Sequence, residues 1–304
     1  TDGSVVYNRN HTIMTNGAGL LGDASSTQSA IVVPKPFDPD IYYIFTVGSN
    51  LNPNGLKYSV VDMTQSGGLG AIIQKNANLL NDSSEKISAV LKDCDSQEVW
   101  VIALGNDSGF HGNWNTYYAY LVTDLGVNPT PVTSFHPLNI NDSRGYLKFS
   151  PDGTKLASAN MDEGLFLFDF DTQTGQVTNP VQLFINQPEN QPYGIEFSPN
   201  NNLLYVTASN DYFAMDGSDQ IPANHQSVLV QFDLTATNIV GSQVLIDSRS
   251  LYRGGLQLGP NGKIYRALSA TYDSGLSFLG AINNPNLVGL ACDYQNNAVS
   301  LAPN

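Results

Sequence analysis

Two segments of the chain concentrate the side chains that could bind a ligand. The first, 210–226, reads NDYFAMDGSDQIPANHQ. Its candidate metal ligands are Asp211, Asp216 and Asp219, and its candidate ligand contacts are Tyr212, Phe213 and His225. Carboxylate oxygens suit Ca²⁺, although the spacing does not match the EF-hand loop, and aromatic rings can stack on a sugar or pack on a partner. The alternative is that the aromatic rings fold back to hold the loop and the aspartates cap turns.

The second segment, 105–116, reads GNDSGFHGNWNT and contains Phe110, His111 and Trp114. A tryptophan among asparagines is typical of a carbohydrate platform if its ring is exposed. We therefore expect these three residues to contact a ligand. The alternative is a loop whose rings pack inward.

Catalytic motifs are scarce, because the chain has four histidines and neither a G-x-S-x-G nor an H-E-x-x-H sequence. A triad assembled in space needs no local signature, so an enzyme remains an alternative. Asp169, Asp171 and Asp233 recur at the ends of predicted strands, where we expect them to accept backbone N–H bonds in the following turn.

The composition excludes several classes of partner. The net charge is −14, with only 13 Lys and Arg, which argues against nucleic acid and against an anionic membrane surface. No apolar stretch is long enough to span a bilayer. Cys94 and Cys292 fall in different repeats, so their spacing does not predict a disulfide.

The elements that must position these residues are repeated hairpins. Residues 145–156 (GYLKFSPDGTKL), 193–204 (YGIEFSPNNNLL) and 254–265 (GGLQLGPNGKIY) each place a Pro/Asx turn between two apolar runs. Proline presets the first turn position, and Asp, Asn or Gly tolerates the next ones. Such repetition about every 40–50 residues in an all-β chain predicts a β-propeller.

Five units of four strands can be traced, at 29–73, 86–133, 145–183, 193–246 and 254–301. Residues 4–14 resemble strands three and four of a further unit, which gives about six blades with an incomplete first blade. We expect residues 1–304 to form a single propeller domain that is a fragment of a longer polypeptide. The loops between strands two and three are long (48–55, 105–116 and 210–226), with a shorter one at 270–275. Long loops on a rigid frame usually carry binding sites.

Several segments, in their order along the chain, resemble those of a known protein family: TDGSVVYNRNHTIM, GLLGDASSTQSAIVVPKP, GYLKFSPDGTKLA, LFLFDFDTQTGQV and LGAINNPN. Together they resemble the WD-like or YVTN-like propeller region of large exported Bacteroidota proteins. Those proteins often end in a gliding-motility-associated sorting domain used in type IX secretion. The resemblance implies a secreted or cell-surface module, and the family has no agreed catalytic residues to transfer.

We therefore expect a binding or adhesion module for a glycan or a surface protein, with calcium as a candidate cofactor and no membrane insertion. One alternative is a structural part of a surface filament or secretion assembly. Another is a propeller enzyme of the lactonase, lyase or glycosidase type.

Overall fold

The structure of the chain, a computed structural model, describes residues 2–106 and 111–302. These residues form mainly β-strands and divide into two compact units. Unit 1 contains Thr1–Phe149 and Phe168–Pro180, and unit 2 contains Ser150–Leu167 and Val181–Asn304. The all-β prediction is confirmed.

The first sheet, in unit 1, is an antiparallel meander with a hairpin added at one edge. The meander contains β3 (Ala30–Lys35), β4 (Asp38–Val47), β5 (Leu56–Asp62) and β6 (Ala71–Leu80), and the hairpin contains β1 (Val5–Tyr7) and β2 (Ile13–Ala18). The strand order is β1-β2-β6-β5-β4-β3. A short helix, α1 (Gln65–Gly68), connects β5 to β6.

The second sheet, also in unit 1, has five strands. Its strands are β7 (Asp82–Leu91), β8 (Val99–Asn106), β9 (Trp114–Thr123), β10 (Gly126–Val127) and β11 (Val132–Ile140), with both β10 and β11 paired to β9. Side chains of the first two sheets form a shared core, which includes Phe45, Leu56, Val101 and Tyr120. Burial is continuous along much of these strands, and β8 (VWVIALGN) is buried at every position, which matches its nearly unbroken apolar sequence.

The remaining three sheets each have four strands in chain order. The third contains β12 (Leu147–Phe149), β13 (Lys155–Asn160), β14 (Gly164–Asp171) and β15 (Gln176–Leu183), and its residues belong to both units. The fourth and fifth lie in unit 2. They contain β16 (Gln191–Phe197), β17 (Leu203–Ser209), β18 (Ser227–Asp233) and β19 (Val244–Arg249), then β20 (Gly254–Leu258), β21 (Ile264–Ser269), β22 (Gly275–Ile282) and β23 (Tyr294–Ser300).

Helical structure is limited to short pieces in the described part of the chain. Besides α1 there are 3₁₀ turns at Ser218–Gln220, Pro222–Asn224, Val240–Ser242 and Gly289–Cys292. In residues 2–106 and 111–302, none of these helices has the length and apolarity needed to cross a membrane.

Five meander sheets of this kind are the blade pattern of a propeller, so the propeller-like prediction is confirmed, but the count of about six blades is wrong. The segment taken as an incomplete first blade is the β1–β2 hairpin, which pairs in parallel with β6 through Thr15 and Ala71. Asn16 Nδ2 donates to the Ile72 carbonyl at 2.9 Å, and Lys75 Nζ donates to the Ala18 carbonyl at 2.6 Å. The hairpin therefore covers an edge strand that would otherwise expose its backbone groups.

The three Pro/Asx turns are confirmed as hairpin turns. The Ser150 N–H donates to the Lys155 carbonyl at 2.9 Å, and the Ser198 N–H donates to the Leu203 carbonyl at 2.8 Å. The tight positions fall on residues that tolerate positive φ: Gly153 at 75° and Asn201 at 66°. The turn chemistry read from the sequence thus sets the register of these hairpins.

The two cysteines are free thiols in different environments, and they provide a simple test of the fold. Cys94 is exposed, whereas Cys292 is fully buried in the core of unit 2, where burial raises its pKa. Because thiolates react and thiols do not, we expect Ellman's reagent to modify one thiol rapidly in the native protein and both after denaturation. Mass spectrometry of the modified Cys94→Ser variant is the control. Rapid modification of Cys292 in that native variant would contradict this placement.

Candidate functional site

Two of the long loops lie where the sequence predicts them, between the second and third strands of a meander, whereas the predicted loop 105–116 includes the end of β8 and the start of β9. In unit 1, residues 48–55 connect β4 to β5, and in unit 2, residues 210–226 connect β17 to β18. A shorter connection, 270–274, joins β21 to β22 in unit 2. The rigid strands on either side of each loop fix its ends.

In unit 2, Phe213 and Tyr272 lie side by side and are both exposed. Their ring centroids are 5.4 Å apart with an interplanar angle of 57°. Phe213 is 61% exposed and Tyr272 is 49% exposed. We call this pair the exposed aromatic pair. Two large exposed rings next to each other form an apolar patch, and such patches are often interaction sites.

Buried rings support the exposed aromatic pair from behind. Tyr252 is buried, with its ring centroid 5.8 Å from that of Tyr272 and 5.1 Å from that of His225. The ring centroid of Tyr212 lies 6.0 Å from that of His225. The five rings therefore form a continuous series from the solvent into the base of the long loop.

The long loop is held mainly by its own polar groups. His225 Nε2 lies 2.7 Å from the Asp219 carbonyl, so this nitrogen carries the proton and donates. The Tyr212 hydroxyl is 2.7 Å from Ser218 Oγ, and Asn224 Nδ2 donates to the Ser218 carbonyl at 2.8 Å. Tyr212 and His225 thus hold the loop, as the alternative interpretation of this segment expected. Phe213 is the predicted ligand contact that this loop exposes.

The three aspartates predicted as calcium ligands have separate partners. Asp211 Oδ1 accepts from the Tyr252 hydroxyl at 3.1 Å and lies 3.4 Å from Arg253 Nη1. Asp216 accepts two hydrogen bonds from Ser218, which lower its pKa. Asp219 is buried. Within the part of the chain that the structure describes, no three His, Cys, Asp or Glu side chains are grouped so as to hold a metal ion.

Arg253 is a cation that sequence reasoning did not single out. Its guanidinium carbon lies 4.7 Å from the ring centroid of Tyr193 and 4.9 Å from that of Tyr252. Its Nη1 also donates to the sulfur of Met161 at 3.0 Å. Stacking between two rings fixes this charge beside Asp211, and it thereby orders the base of the loop.

In unit 1 the prediction of an exposed Trp114 is wrong, because its side chain is fully buried. Trp114 is the first residue of β9 and pairs with Ile140 of β11. Its Nε1 donates to Asp82 Oδ2 at 3.0 Å, and Asn106 Nδ2 donates to the same oxygen at 2.9 Å. Phe110, the predicted contact beside it, lies outside the described residues.

His111 lies between Asp82 and the neighbouring loop. Its Nδ1 is 2.7 Å from Asp82 Oδ1, so this nitrogen carries a proton, and its Nε2 is 2.9 Å from Asn50 Oδ1. Both ring nitrogens are therefore engaged, and they join the 48–55 loop to the start of β7. An Asp–His pair can act in acid–base chemistry, but here Nε2 faces an asparagine. Asp82 could not be predicted from the sequence, because no neighbouring residue indicates which strand lies beside Trp114.

The carboxylates at strand ends have mainly the structural role that the sequence predicts. Asp171 Oδ1 accepts from the Gln173 N–H at 2.9 Å, and Asp233 Oδ1 accepts from the Thr235 N–H at 2.9 Å. Hydrogen bonds from Thr174 and Gln173 lower the pKa of Asp171. Asp169 differs, since its Oδ2 accepts from the side chain of Asn179 at 2.7 Å.

Comparison with known proteins gives distant likenesses only. No protein-family model and no curated protein matches the chain. Among solved structures, a luciferin-regenerating enzyme is similar at 14% identity and a TM-score of 0.44, over 78% of this chain and 69% of its own. A Bacteroides uniformis protein proposed to be a 6-phosphogluconolactonase is 14% identical with a TM-score of 0.45, over 96% of this chain and 90% of its own. A Lactobacillus plantarum protein is 13% identical with a TM-score of 0.47, over 90% of this chain and 70% of its own. The fold assignment therefore stands on the five sheets themselves.

Proposed function

We propose that the chain is a binding module that recognises carbohydrate through the exposed aromatic pair, Phe213 and Tyr272. The observation that carries the proposal is the juxtaposition of these two rings in solvent. Sugar rings present an apolar C–H face that packs on an aromatic ring and a rim of hydroxyls that seek polar partners. An exposed pair of rings supplies the first of these contacts.

Polar groups beside the two rings are placed to form hydrogen bonds with the hydroxyl groups of a sugar. Thr271 Oγ1 donates to Gln220 Oε1 at 3.1 Å, which ties the 270–274 connection to the long loop. Asp273, next to Tyr272 in the chain, is exposed. A cluster that combines apolar rings with amide and carboxylate groups is the usual composition of a site for a neutral polar ligand.

The site is also organised before any ligand arrives. The long loop carries its own hydrogen bonds, and buried rings support the exposed aromatic pair. Binding to such a surface loses little conformational entropy, which favours affinity.

The wider setting is part of the same proposal. The resemblance to exported Bacteroidota proteins supports a role in adhesion at a cell surface or after secretion, with the chain as one part of a larger protein. The net charge of −14 favours neutral glycans over polyanions as the ligand.

The test is a binding screen against a panel of neutral and acidic polysaccharides, with Phe213→Ala and Tyr272→Ala as variants. Truncating a central aromatic contact commonly costs 2 kcal/mol or more, so we expect each variant to bind at least about tenfold more weakly. Phe135→Ala is the matched control, because Phe135 is 64% exposed and lies on β11 of unit 1.

Running the screen with CaCl₂ and with EDTA shows in the same experiment whether calcium contributes. Binding that both variants retain at the level of the control would overturn the proposal. So would the absence of binding to every polysaccharide by a wild-type protein with a cooperative melting transition.

A further inference from the structure

A groove of about 330 Å³ lies in unit 1, where the turn from β9 to β10 lies against the first sheet. The exposed aromatic pair is in unit 2, so the groove is a separate place on the chain. Its volume is sufficient for one six-membered ring with its substituents. The lining includes Tyr43, Tyr58, Ile73, Gln74, Leu125 and Gly126.

A tyrosine hydroxyl without a protein partner opens into this groove. Tyr43, on β4, is only 5% exposed, yet its hydroxyl oxygen is not sealed from solvent. Among residues 2–106 and 111–302, no group forms a hydrogen bond with this hydroxyl. Burial raises the pKa of Tyr43, and the nearby Tyr58 and Asp38 add to the effect, so the hydroxyl keeps its proton. A ligand oxygen would supply the acceptor that the protein lacks.

Gly126 keeps the approach to the Tyr43 hydroxyl open. Its φ of 116° is in the region that favours glycine. A Cβ atom at this position would lie 3.3 Å from the hydroxyl oxygen, which is close for a non-bonded contact. The absence of a side chain at 126 therefore leaves room for a ligand beside that oxygen.

Two more polar side chains line the groove. The ring of Tyr58, on β5, meets that of Tyr43 edge to face, with centroids 6.2 Å apart and an interplanar angle of 68°. In the part of the chain that the structure describes, neither the Tyr58 hydroxyl nor the amide of the exposed Gln74 forms a hydrogen bond. The groove thus offers two hydroxyls and one amide, and these groups can both donate and accept.

Exposed aliphatic side chains complete the lining. Ile73, on β6, is 55% exposed, and Leu125, in the β9–β10 turn, is 94% exposed. Both would lose accessible apolar surface if a C–H face of a ligand packed on them. This contact is available without any change in the core.

The charge at the groove is balanced. Lys35 is the charged side chain among the described residues that line it, and its Nζ lies 3.1 Å from Asp38 Oδ2. The two charges offset each other, so neither an anion nor a cation gains much from them. The groove therefore favours a neutral ligand that has both hydroxyl groups and an apolar face.

We propose that this groove binds one neutral sugar ring. The sugar hydroxyls form hydrogen bonds with Tyr43, Tyr58 and Gln74, and the C–H face of the ring lies against Ile73 and Leu125. The site does not depend on carbohydrate binding at the exposed aromatic pair.

The test is isothermal titration calorimetry with the methyl glycosides of glucose, galactose and mannose. All titrations use the Phe213→Ala variant, so that binding at the exposed aromatic pair contributes little. We expect saturable binding of at least one glycoside, with little effect of added salt because the ligand is uncharged. The uronic acid and the amino sugar of the same configuration should bind more weakly, as should cyclohexanol, which has a single hydroxyl. No binding of any of the three glycosides would overturn the proposal, as would equal binding of cyclohexanol or of either charged sugar.

Two substitutions locate the site. Tyr43→Phe removes only the hydroxyl, so we expect an unchanged melting temperature and about fivefold weaker binding of the glycoside. Gln74→Met removes the amide at an exposed position and should also weaken binding. Tyr7→Phe is the matched control, because Tyr7 is 61% exposed on β1 and its variant should bind within about twofold of the parent. Equal affinities of the Tyr43 and Tyr7 variants would place the sugar elsewhere and refute this site.

Discussion

Replacing Asp82 with alanine is expected to lower the free energy of unfolding by about 3 kcal/mol. The Asp82 carboxylate is buried and accepts hydrogen bonds from Trp114 Nε1 and Asn106 Nδ2. Its other oxygen lies 2.7 Å from His111 Nδ1. Removing the carboxylate leaves a buried indole N–H without an acceptor and frees the histidine that joins two loops. Each such loss costs about 1–3 kcal/mol, so their sum is large for one substitution.

The measurement is urea unfolding followed by circular dichroism and tryptophan fluorescence. Asp124→Ala is the control, because Asp124 is exposed and its removal should change stability by less than about 0.5 kcal/mol. A double-mutant cycle combines Asp82→Ala with Trp114→Phe, which removes the indole N–H donor. If the indole bond matters, Asp82→Ala should cost less in that background, with a coupling of about 1 kcal/mol or more. Strict additivity of the two substitutions would contradict the hydrogen bond as the cause.

The same site shows which features the sequence can predict. The Pro/Asx turns are local, since the residues that set φ and accept the turn hydrogen bonds are neighbours in the chain. Five repeats could therefore be traced close to the five sheets, although the predicted loop 105–116 includes the end of β8 and the start of β9. The burial of Trp114, in contrast, is not determined by its neighbours in the sequence. It depends on the strand β11, which begins 18 residues later and pairs with Trp114 only at its last residue, Ile140. Asp82 is 32 residues earlier in the chain.

The error in blade number has a similar origin. Two short apolar runs at 4–14 predict a hairpin, but a hairpin can begin a new sheet or extend an existing edge. The choice depends on side-chain bonds such as that from Asn16 to the Ile72 carbonyl, which join residues more than 50 positions apart. For the candidate site, Phe213 was found from its loop, whereas its neighbour Tyr272 is brought beside it by the packing of two sheets.

The second large effect is expected at Asp247 in unit 2, where Ala should reduce the free energy of unfolding by about 3–5 kcal/mol. Arg266 on β21 is 0% exposed, and its Nη1 donates to Asp247 Oδ2 at 2.8 Å. Its Nη2 donates to Ser227 Oγ at 3.0 Å. Asp247 is the carboxylate paired with this guanidinium among residues 2–106 and 111–302, and an uncompensated buried charge is among the most costly defects in a folded protein.

Two further variants separate a lost counter-charge from lost packing. Arg249 also donates to Asp247, through Nε at 2.9 Å, but its side chain is 34% exposed. Arg249→Met should therefore cost less than about 1 kcal/mol, as is usual for a solvent-screened pair. Combining Asp247→Ala with Arg266→Met removes both the carboxylate and the buried charge, so the double variant should be more stable than Asp247→Ala alone. Urea unfolding measures all four proteins. A double variant that is less stable than Asp247→Ala would show that Arg266 contributes by filling space, and that its charge needs no partner there.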